Sequence, residues 1–160
     1  MNLAALFLLV SQTYGLPEGL LHSVCMVESH HRVDAIRHDD GKEGSTALGI
    51  CQMHLNTAKY LAKKYNRKTP TAKDLMRPEI NIDFAGLYLR DRINIYKGDV
   101  SRGVTAYNQG KSYSHGGSAY AAKVFNELVR YHRRESEKRR IDSEGGISHD
   151  APSESVPPSK

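Results

Sequence analysis

Proline and glycine divide this sequence into short segments that favour helices, and this punctuation limits the fold more than any other feature. Gly15 is placed to end a first helix, and a proline and an acid open a second one over about 17–30. Another proline opens a long helix over about 78–96, which Gly98 closes. We therefore expect a mainly helical protein.

The remaining segments repeat this pattern, with one exception. Further helices are predicted over about 56–65, 71–76 and 100–108, and a last one from residue 118. The exception lies between residues 31 and 55, where Gly, Asp and Ser are frequent. Such a composition favours an irregular or short β-hairpin-like segment.

Length and composition favour a single domain with a tail. The chain has 160 residues, 39% of them hydrophobic, which suits one compact core. We predict a domain over 1–132 and a charged, disordered tail over 133–160, where apolar residues are rare. Residues 1–15 are apolar but lack both a basic start and an A-x-A site, so we interpret them as an amphipathic helix rather than a signal peptide. No apolar run is long enough for a transmembrane segment.

The charge is unevenly distributed. The chain carries a net charge of +5, but residues 141–160 contribute −3, which leaves +8 for residues 1–140. A basic body favours a polyanionic partner such as nucleic acid, an anionic lipid surface or bacterial cell wall. Charge alone does not choose among them. We interpret the basic cluster in residues 133–140 as a solvated helix end.

The two cysteines, Cys25 and Cys51, are too few for a disulfide framework. We favour two buried thiols, with a single bridge as the alternative. His22 and Cys25 share a helix face, but no protease signature surrounds them, so a cysteine nucleophile is not expected.

Glu28 is the most unusual residue of the second helix. Leu21, Cys25 and Glu28 fall at positions i, i+4 and i+7, so the carboxyl continues an apolar stripe that should face inward. Burial raises the pKa of a carboxyl and allows it to hold a proton, as a general acid must. A structural ion pair with Arg32 or Arg37 explains the same placement, and this segment leaves both interpretations open.

Three motifs resemble those of the lytic transglycosylases of the soluble-lytic-transglycosylase type, a branch of the lysozyme-like superfamily. They are Glu28-Ser29, then Gly-Ile-Cys-Gln-Met at 49–53 with Thr57-Ala58, then Ala-Tyr-Asn-Gln-Gly at 106–110. The resemblance spans about residues 3–131. It departs from the family at Thr46-Ala47, where Gly-Ala is frequent, and at Cys51, where Met is common. The loop after Glu28 looks most like that of phage-encoded members.

The resemblance implies a mainly α, lysozyme-like single domain, with the small irregular or β-hairpin-like segment between the catalytic helix and the Gly-x-x-Gln motif. It also implies a peptidoglycan substrate, cut between N-acetylmuramic acid and N-acetylglucosamine. A single glutamate, Glu28, would protonate the glycosidic oxygen and then deprotonate the sugar's 6-hydroxyl, which closes a 1,6-anhydro ring.

The other motif residues take supporting roles in this interpretation. Tyr107 would hydrogen-bond Glu28, and Ser29 would steady the helix end or the substrate. Gln52 and Asn108 would contact the sugar. Met53 and Tyr120 are candidates for the cleft wall, although core packing explains them equally well.

Two alternative functions stay open. Asp39 or Asp40 would serve as a second carboxylate if the protein were a hydrolase similar to goose-type lysozymes, in which water completes the reaction. The alternative role for Asp39 and Asp40 is to form a turn in the loop after Glu28. A non-catalytic peptidoglycan-binding or virion structural protein is the other candidate.

The expected partners follow from the same resemblance. We expect a monomer that acts on peptidoglycan at the cell wall or in the periplasm, with no nucleic-acid partner and no cofactor. No metal is expected either, because the spacing of His30, His31 and His38 matches no familiar zinc pattern. Delivery by a phage particle, by lysis or by a secretion assembly is left open.

Overall fold

The structure is a computed structural model that describes residues 2–38, 46–110 and 118–145, with side chains up to 144. These residues form seven helices: α1 Leu3–Thr13, α2 Leu20–Ser29, α3 Leu55–Lys64, α4 Ala72–Leu75, α5 Pro78–Ile95, α6 Val100–Gln109 and α7 Ala119–Gly145. The prediction of a mainly α protein is confirmed.

A small sheet stands between α2 and α3. Its strands β1 Ile36–Arg37, β2 Ala47–Leu48 and β3 Met53–His54 pair in the order β1-β2-β3, and both pairs are antiparallel. The β-hairpin-like segment is therefore confirmed.

Helix α5 is the central helix of the core, and most of its faces are therefore buried. It begins at Pro78, as predicted, and its buried residues include Ile82 and Leu89. Glycine allows close packing at two crossings. A Cβ on Gly86 would stand 2.5 Å from Val10 Cγ1 of α1, and one on Gly103 of α6 would stand 2.4 Å from a side-chain carbon of α5.

The N-terminal helix packs one face on this core. Leu6, Phe7 and Val10 are buried, whereas Leu8 and Leu9 are about half exposed, so the predicted amphipathic helix is confirmed. Within the part of the chain that the structure covers, no helix is both long and apolar enough to cross a membrane.

Helix boundaries differ from prediction in two places. Helix α2 begins at Leu20 rather than at residue 17, because Gly19 has a φ of +79° that no helix accommodates. Helix α7 continues beyond His132 to Gly145, so the basic cluster in residues 133–140 lies on a helix, as its interpretation as a solvated helix end requires, and the helix runs past residue 133, where the tail was predicted to begin.

The extension of α7 has an electrostatic explanation. Ion pairs form along it between Lys138 and Glu135 and, one turn on, between basic and acidic side chains four residues apart. Arg139 also reaches Glu18, ahead of α2, at 3.2 Å. The alternating signs of these charges favour a helix over a disordered segment. Residues 146–160 lie outside the described part of the chain.

Candidate active site

The Glu28 carboxyl lies near the C-terminal end of α2 and is almost enclosed by protein. Its side chain is only 6% exposed. The Tyr120 hydroxyl, from the first turn of α7, donates a 2.7 Å hydrogen bond to Glu28 Oε1. The predicted inward placement is therefore confirmed, and α7 supplies the group that fixes the carboxyl.

Arg37 approaches the other carboxylate oxygen. Its Nη1 lies 3.8 Å from Glu28 Oε2, and half of its side chain is exposed to solvent. The contact is long for a salt bridge, and solvent screening weakens such pairs. The alternative pairing with Arg37 thus exists, but it does not replace the polar contact made by Tyr120.

Tyr107 differs from its prediction. Its hydroxyl donates to the Cys51 carbonyl oxygen at 2.9 Å and lies 3.5 Å from Met53 Sδ. A phenol has a single hydrogen to donate, so the hydrogen bond expected from Tyr107 to Glu28 is made by Tyr120 instead. The polar tip of a tyrosine on the inward face of α7 was the signal for this partner.

Both tyrosines remain neutral phenols beside the carboxyl. Burial, followed by the negative charge of Glu28, raises the pKa of Tyr107 well above its usual value. The pKa of Tyr120 is raised strongly for the same two reasons. Both therefore act near Glu28 as hydrogen-bond donors and not as bases.

The loop from Gly49 to Gln52 follows the small sheet and carries the second motif. Gly49 has a φ of +69°, and a Cβ there would lie 2.6 Å from the Asn81 side chain. Gln52 also has a positive φ, of +52°. Its Nε2 donates to the carbonyls of Ala35 and Gly49 at 3.2 and 3.0 Å. Part of the Gln52 amide thus holds the loop, while the residue also lines the cleft.

Asn81 fixes the same loop from α5, and sequence reasoning missed it. The side chain is fully buried. Its Nδ2 donates to the carbonyls of Leu48 and Leu75 at 2.8 and 2.7 Å, and its Oδ1 accepts from the Cys51 amide at 2.9 Å. A polar residue on an otherwise apolar helix face was the available signal.

A disulfide joins the two motifs. Cys25 and Cys51 are bonded, with their Cα atoms 4.3 Å apart. The favoured prediction of two buried thiols is therefore wrong, and the alternative of one bridge is right, because the fold brings together two residues that their count could not pair. The bridge ties the helix of Glu28 to the loop of Gln52.

Ser29 adds a second link between α2 and this loop. Its hydroxyl donates to the Ile50 carbonyl at 2.6 Å, and the side chain is buried. Of the two roles predicted for Ser29, the structure therefore shows that it steadies the helix end.

These contacts surround a cleft of about 220 Å³. The predicted residues Glu28, Gln52, Met53, Tyr107 and Asn108 all line it, together with Arg37, His54, Thr57, Tyr88, Gln109 and Gly110. Met53 is buried, whereas Asn108 is exposed. Tyr120 touches the cleft through its bond to Glu28.

Two predicted groups cannot be placed in this way. Asp39 and Asp40 lie outside the described residues. Over the ranges 2–38, 46–110 and 118–144, no three His, Cys, Asp or Glu side chains come together in a group that could hold a metal ion.

Comparison with a solved structure supports the fold described above. A crystal structure of an inactive mutant of the lytic transglycosylase Slt from Pseudomonas aeruginosa superposes with a TM-score of 0.69 at 20% sequence identity, over 82% of this chain. This likeness confirms the predicted lysozyme-like fold. The chain spans only 24% of that larger protein. No curated protein matches the sequence.

A family model gives the clearest match. The transglycosylase SLT domain model matches residues 6–126, which include all three motifs. Since the match covers most of the chain, the protein belongs to the transglycosylase SLT domain family.

Proposed function

We propose that this protein is a peptidoglycan lytic transglycosylase in which Glu28 is the sole acid and base. The observation that carries the proposal is the placement of the Glu28 carboxyl, 6% exposed and held by Tyr120, in a cleft lined by all three sequence motifs. A carboxyl so nearly removed from water is suited to carry a proton to a substrate oxygen.

The first step is protonation of the glycosidic oxygen by Glu28. The bond between that oxygen and the anomeric carbon of N-acetylmuramic acid breaks, and its electron pair goes to the oxygen. The carbonyl of the sugar's own N-acetyl group stabilises the positive charge at the anomeric carbon. Tyr120 donates to Oε1, and Arg37 Nη1 lies 3.8 Å from Oε2, so both oxygens of the carboxyl are held in place during the transfer.

The second step regenerates the acid. Glu28, now ionised, accepts the proton of the 6-hydroxyl of the same sugar, and that oxygen bonds to the anomeric carbon. A 1,6-anhydro ring results, and no water is consumed. Within the described part of the chain, the carboxylate that lines the cleft is Glu28, and Asp39 and Asp40 lie outside the described residues.

The remaining cleft residues position the sugar in this proposal. Asn108 is exposed and polar and suits hydroxyl or acetamide groups of the glycan, whereas Gln52 lines the cleft with its Nε2 bonded to the loop, so its amide oxygen is the group that would accept from the sugar. Met53 and Tyr107 form the wall against which a sugar ring would pack.

The disulfide bears on where the protein acts. Bridges between cysteines persist in oxidising surroundings such as the bacterial periplasm and the cell surface. The Cys25–Cys51 bridge therefore supports the proposal that the protein acts in the periplasm or at the cell wall.

Product analysis tests the function. Purified protein and a Glu28→Gln variant are incubated with peptidoglycan, and the released fragments are analysed by mass spectrometry. We expect 1,6-anhydromuramic ends from the wild type and a rate roughly 100- to 10,000-fold lower from the variant, because a proton donor and acceptor is lost. Reducing ends would instead indicate a hydrolase. Wall binding without any released fragment would indicate a non-catalytic protein.

A further inference from the structure

Positive charge is concentrated in one segment of the chain. Residues 59–77, which run from α3 through α4, contain seven lysines and arginines and a single acid, a net charge of +6. The whole chain carries +5, so the remaining residues together carry −1. The basic character of the protein therefore belongs to this segment, and a local excess of this size indicates an anionic partner.

Four exposed lysines of this segment form a basic surface. They are Lys59, Lys63, Lys68 and Lys73. The ion pairs of the segment use its other three cations, Lys64, Arg67 and Arg77. Among the described residues, no acid pairs with the lysines of the basic surface. Helix α7 differs, because its cations and acids alternate and pair. The basic surface therefore carries charge that the fold does not compensate.

The fold presents these lysines to solvent. Helix α3 packs its leucine and alanine face on the core, so Lys59 and Lys63, which are one turn apart, lie away from it. Lys68 is in the loop after α3, and Lys73 is in α4, whose first turn is fixed by the capping box of Thr71. The lysines thus stand on a fixed backbone, and their long side chains extend into water.

A pocket of about 240 Å³ opens among these cations. It is lined by the apolar residues Pro70, Ile80 and Phe84 and by the cations Arg67, Lys68 and Arg77. Two acids also line it, and both are already bonded. The backbone and hydroxyl of Thr71 donate to Asp74 at 2.9 and 2.8 Å. Arg67 and the Tyr14 hydroxyl donate to Asp83. The pocket therefore suits a ligand that joins an anionic group to an apolar one.

We propose that the basic surface docks the protein on a membrane that contains anionic phospholipids. Lysine is a mobile point charge, so it suits a layer of phosphates whose positions are not fixed, whereas arginine suits one bidentate contact. Tyr60 and Tyr65, in the same segment, are 45% and 40% exposed, and such amphipathic rings favour the interface between membrane and water. A nucleic acid would match the charge but not the apolar lining of the pocket.

Docking through this surface leaves the catalytic cleft open. The pocket among the cations shares no lining residue with the cleft. Thr57, in the first turn of α3, lines the cleft, whereas Lys63 lies in the last turn. At about 1.5 Å per residue, the two residues are roughly 9 Å apart along the helix. A protein docked through the basic surface would therefore hold its cleft close to the membrane without covering it.

Sedimentation with vesicles tests the proposal. The full chain is mixed with vesicles of phosphatidylcholine alone, or of phosphatidylcholine with about 30% phosphatidylglycerol, and the bound fraction is measured after centrifugation. We expect binding only to the vesicles that contain phosphatidylglycerol. Raising the salt from about 0.05 to about 0.5 M should release the protein, because salt screens the attraction between exposed charges.

Removing the four charges should weaken this binding. We expect the apparent affinity to fall about 100-fold when all four lysines become glutamine, in Lys59→Gln/Lys63→Gln/Lys68→Gln/Lys73→Gln. The side chains are exposed, so the fold should be retained, which circular dichroism checks. The double variant Lys63→Gln/Lys68→Gln changes less of the protein and should lose about tenfold.

A matched control removes the same charge from elsewhere. Its four positions are exposed and lie outside residues 59–77: Lys97→Gln/Arg102→Gln/Lys123→Gln/Arg133→Gln. Its net charge equals that of the quadruple lysine variant, but the basic surface is intact. We expect its affinity for the vesicles to fall less than about threefold, because these charges lie away from the lipid.

The outcomes decide the inference without reference to catalysis. An equal loss in the control and in the quadruple lysine variant would overturn it, since net charge alone would then explain binding. Equal binding to both kinds of vesicle, or to neither, would overturn it as well. So would binding to a short DNA duplex in the absence of binding to vesicles. Glu28→Gln should bind the vesicles as the wild type does, so a failure of the proposed function is recognised separately.

Discussion

At the scale of single residues, the environment of Glu28 combines two opposing influences. A nearly closed site disfavours the charged carboxylate, while Tyr120 and Arg37 favour it. The phenol is the stronger partner, since its contact is 2.7 Å and the guanidinium contact is 3.8 Å. The balance suits a group that must both release a proton and take one up.

Replacing Tyr120 by Phe tests this balance. The variant loses the hydrogen bond to Glu28, so we expect kcat/KM to fall about tenfold or more, as a bond to a charged group contributes roughly 1.5–3 kcal/mol. The phenol favours the ionised carboxyl, so its removal favours the protonated form. The alkaline limb of the pH–kcat/KM profile, where Glu28 loses its proton, should therefore move to higher pH.

Tyr107→Phe is the matched control for this experiment. Tyr107 bonds the Cys51 carbonyl and not the carboxyl, so we expect a loss of about 1 kcal/mol of stability with little movement of the alkaline limb. If the limb moves in Tyr107→Phe and stays in place in Tyr120→Phe, the assignment of the orienting residue is reversed.

At the scale of elements, the site depends on how α2 is fixed to the loop over 49–52. Three links join them or hold the loop: the Cys25–Cys51 bridge, the Ser29 hydroxyl on the Ile50 carbonyl, and the buried Asn81 amide. The Ser29 and Asn81 contacts act on the loop backbone and the bridge on the Cys51 side chain, and together they hold a loop whose Gly49 and Gln52 have positive φ. The general acid and the cleft glutamine are thereby held on one rigid unit.

Removal of the bridge measures this coupling. The disulfide closes a loop with a sequence separation of 26, and constraining a loop of that size stabilises a fold by about 2–4 kcal/mol. We expect the free energy of unfolding of the Cys25→Ala/Cys51→Ala variant, measured with urea, to be lower than that of the wild type by that amount. Addition of a reductant should lower the midpoint of the wild type and leave that of the variant unchanged. The prediction would be contradicted if the reductant left the urea midpoint of the wild type unchanged although alkylation showed that both cysteines had been reduced.

At the scale of the whole molecule, the helices and strands were predictable from the sequence, and several of the contacts between them were not. Pro78 and the capping residue Thr71 are local sequence signals for the start of a helix, and both helices begin where expected. The bond between Tyr120 and Glu28 depends on how α7 packs on α2, and no local pattern encodes that packing. The disulfide likewise depends on the tertiary fold, because the sequence does not show whether two cysteines pair.

The packing of α7 against α1 and α2 encloses a cluster of rings. The His22 ring lies 4.3 Å from His31, 5.4 Å from Phe7 and 4.9 Å from Tyr131, measured between ring centres. The buried Nδ1 of His22 has no hydrogen-bond partner among the described residues. Burial, followed by the charges of His31 and Arg134, lowers the pKa of His22 to about 4.

This lowered pKa predicts a loss of stability in acid. An unfolded histidine binds a proton near pH 6.5, whereas folded His22 resists it until about pH 4, so the unfolded state holds more protons between these values. Stability should therefore fall as the pH drops from 6.5 to 4. Because His22 is partly exposed and Glu127 and Glu135 act against the shift, we expect a contribution of about 1–2 kcal/mol rather than the full value.

The measurement is the urea midpoint of the wild type and of His22→Phe at a series of pH values from 7 to 4.5. Phenylalanine fits the ring cluster, does not titrate and removes the unmet nitrogen, so the variant should be about as stable as the wild type at pH 7. Between pH 7 and pH 4.5 the free energy of unfolding of the variant should fall less than that of the wild type. The difference is the contribution of His22. His31, whose pKa is also lowered, first by burial, will leave some slope in both proteins. Equal slopes in the two proteins would show that His22 does not contribute to the acid sensitivity of the fold.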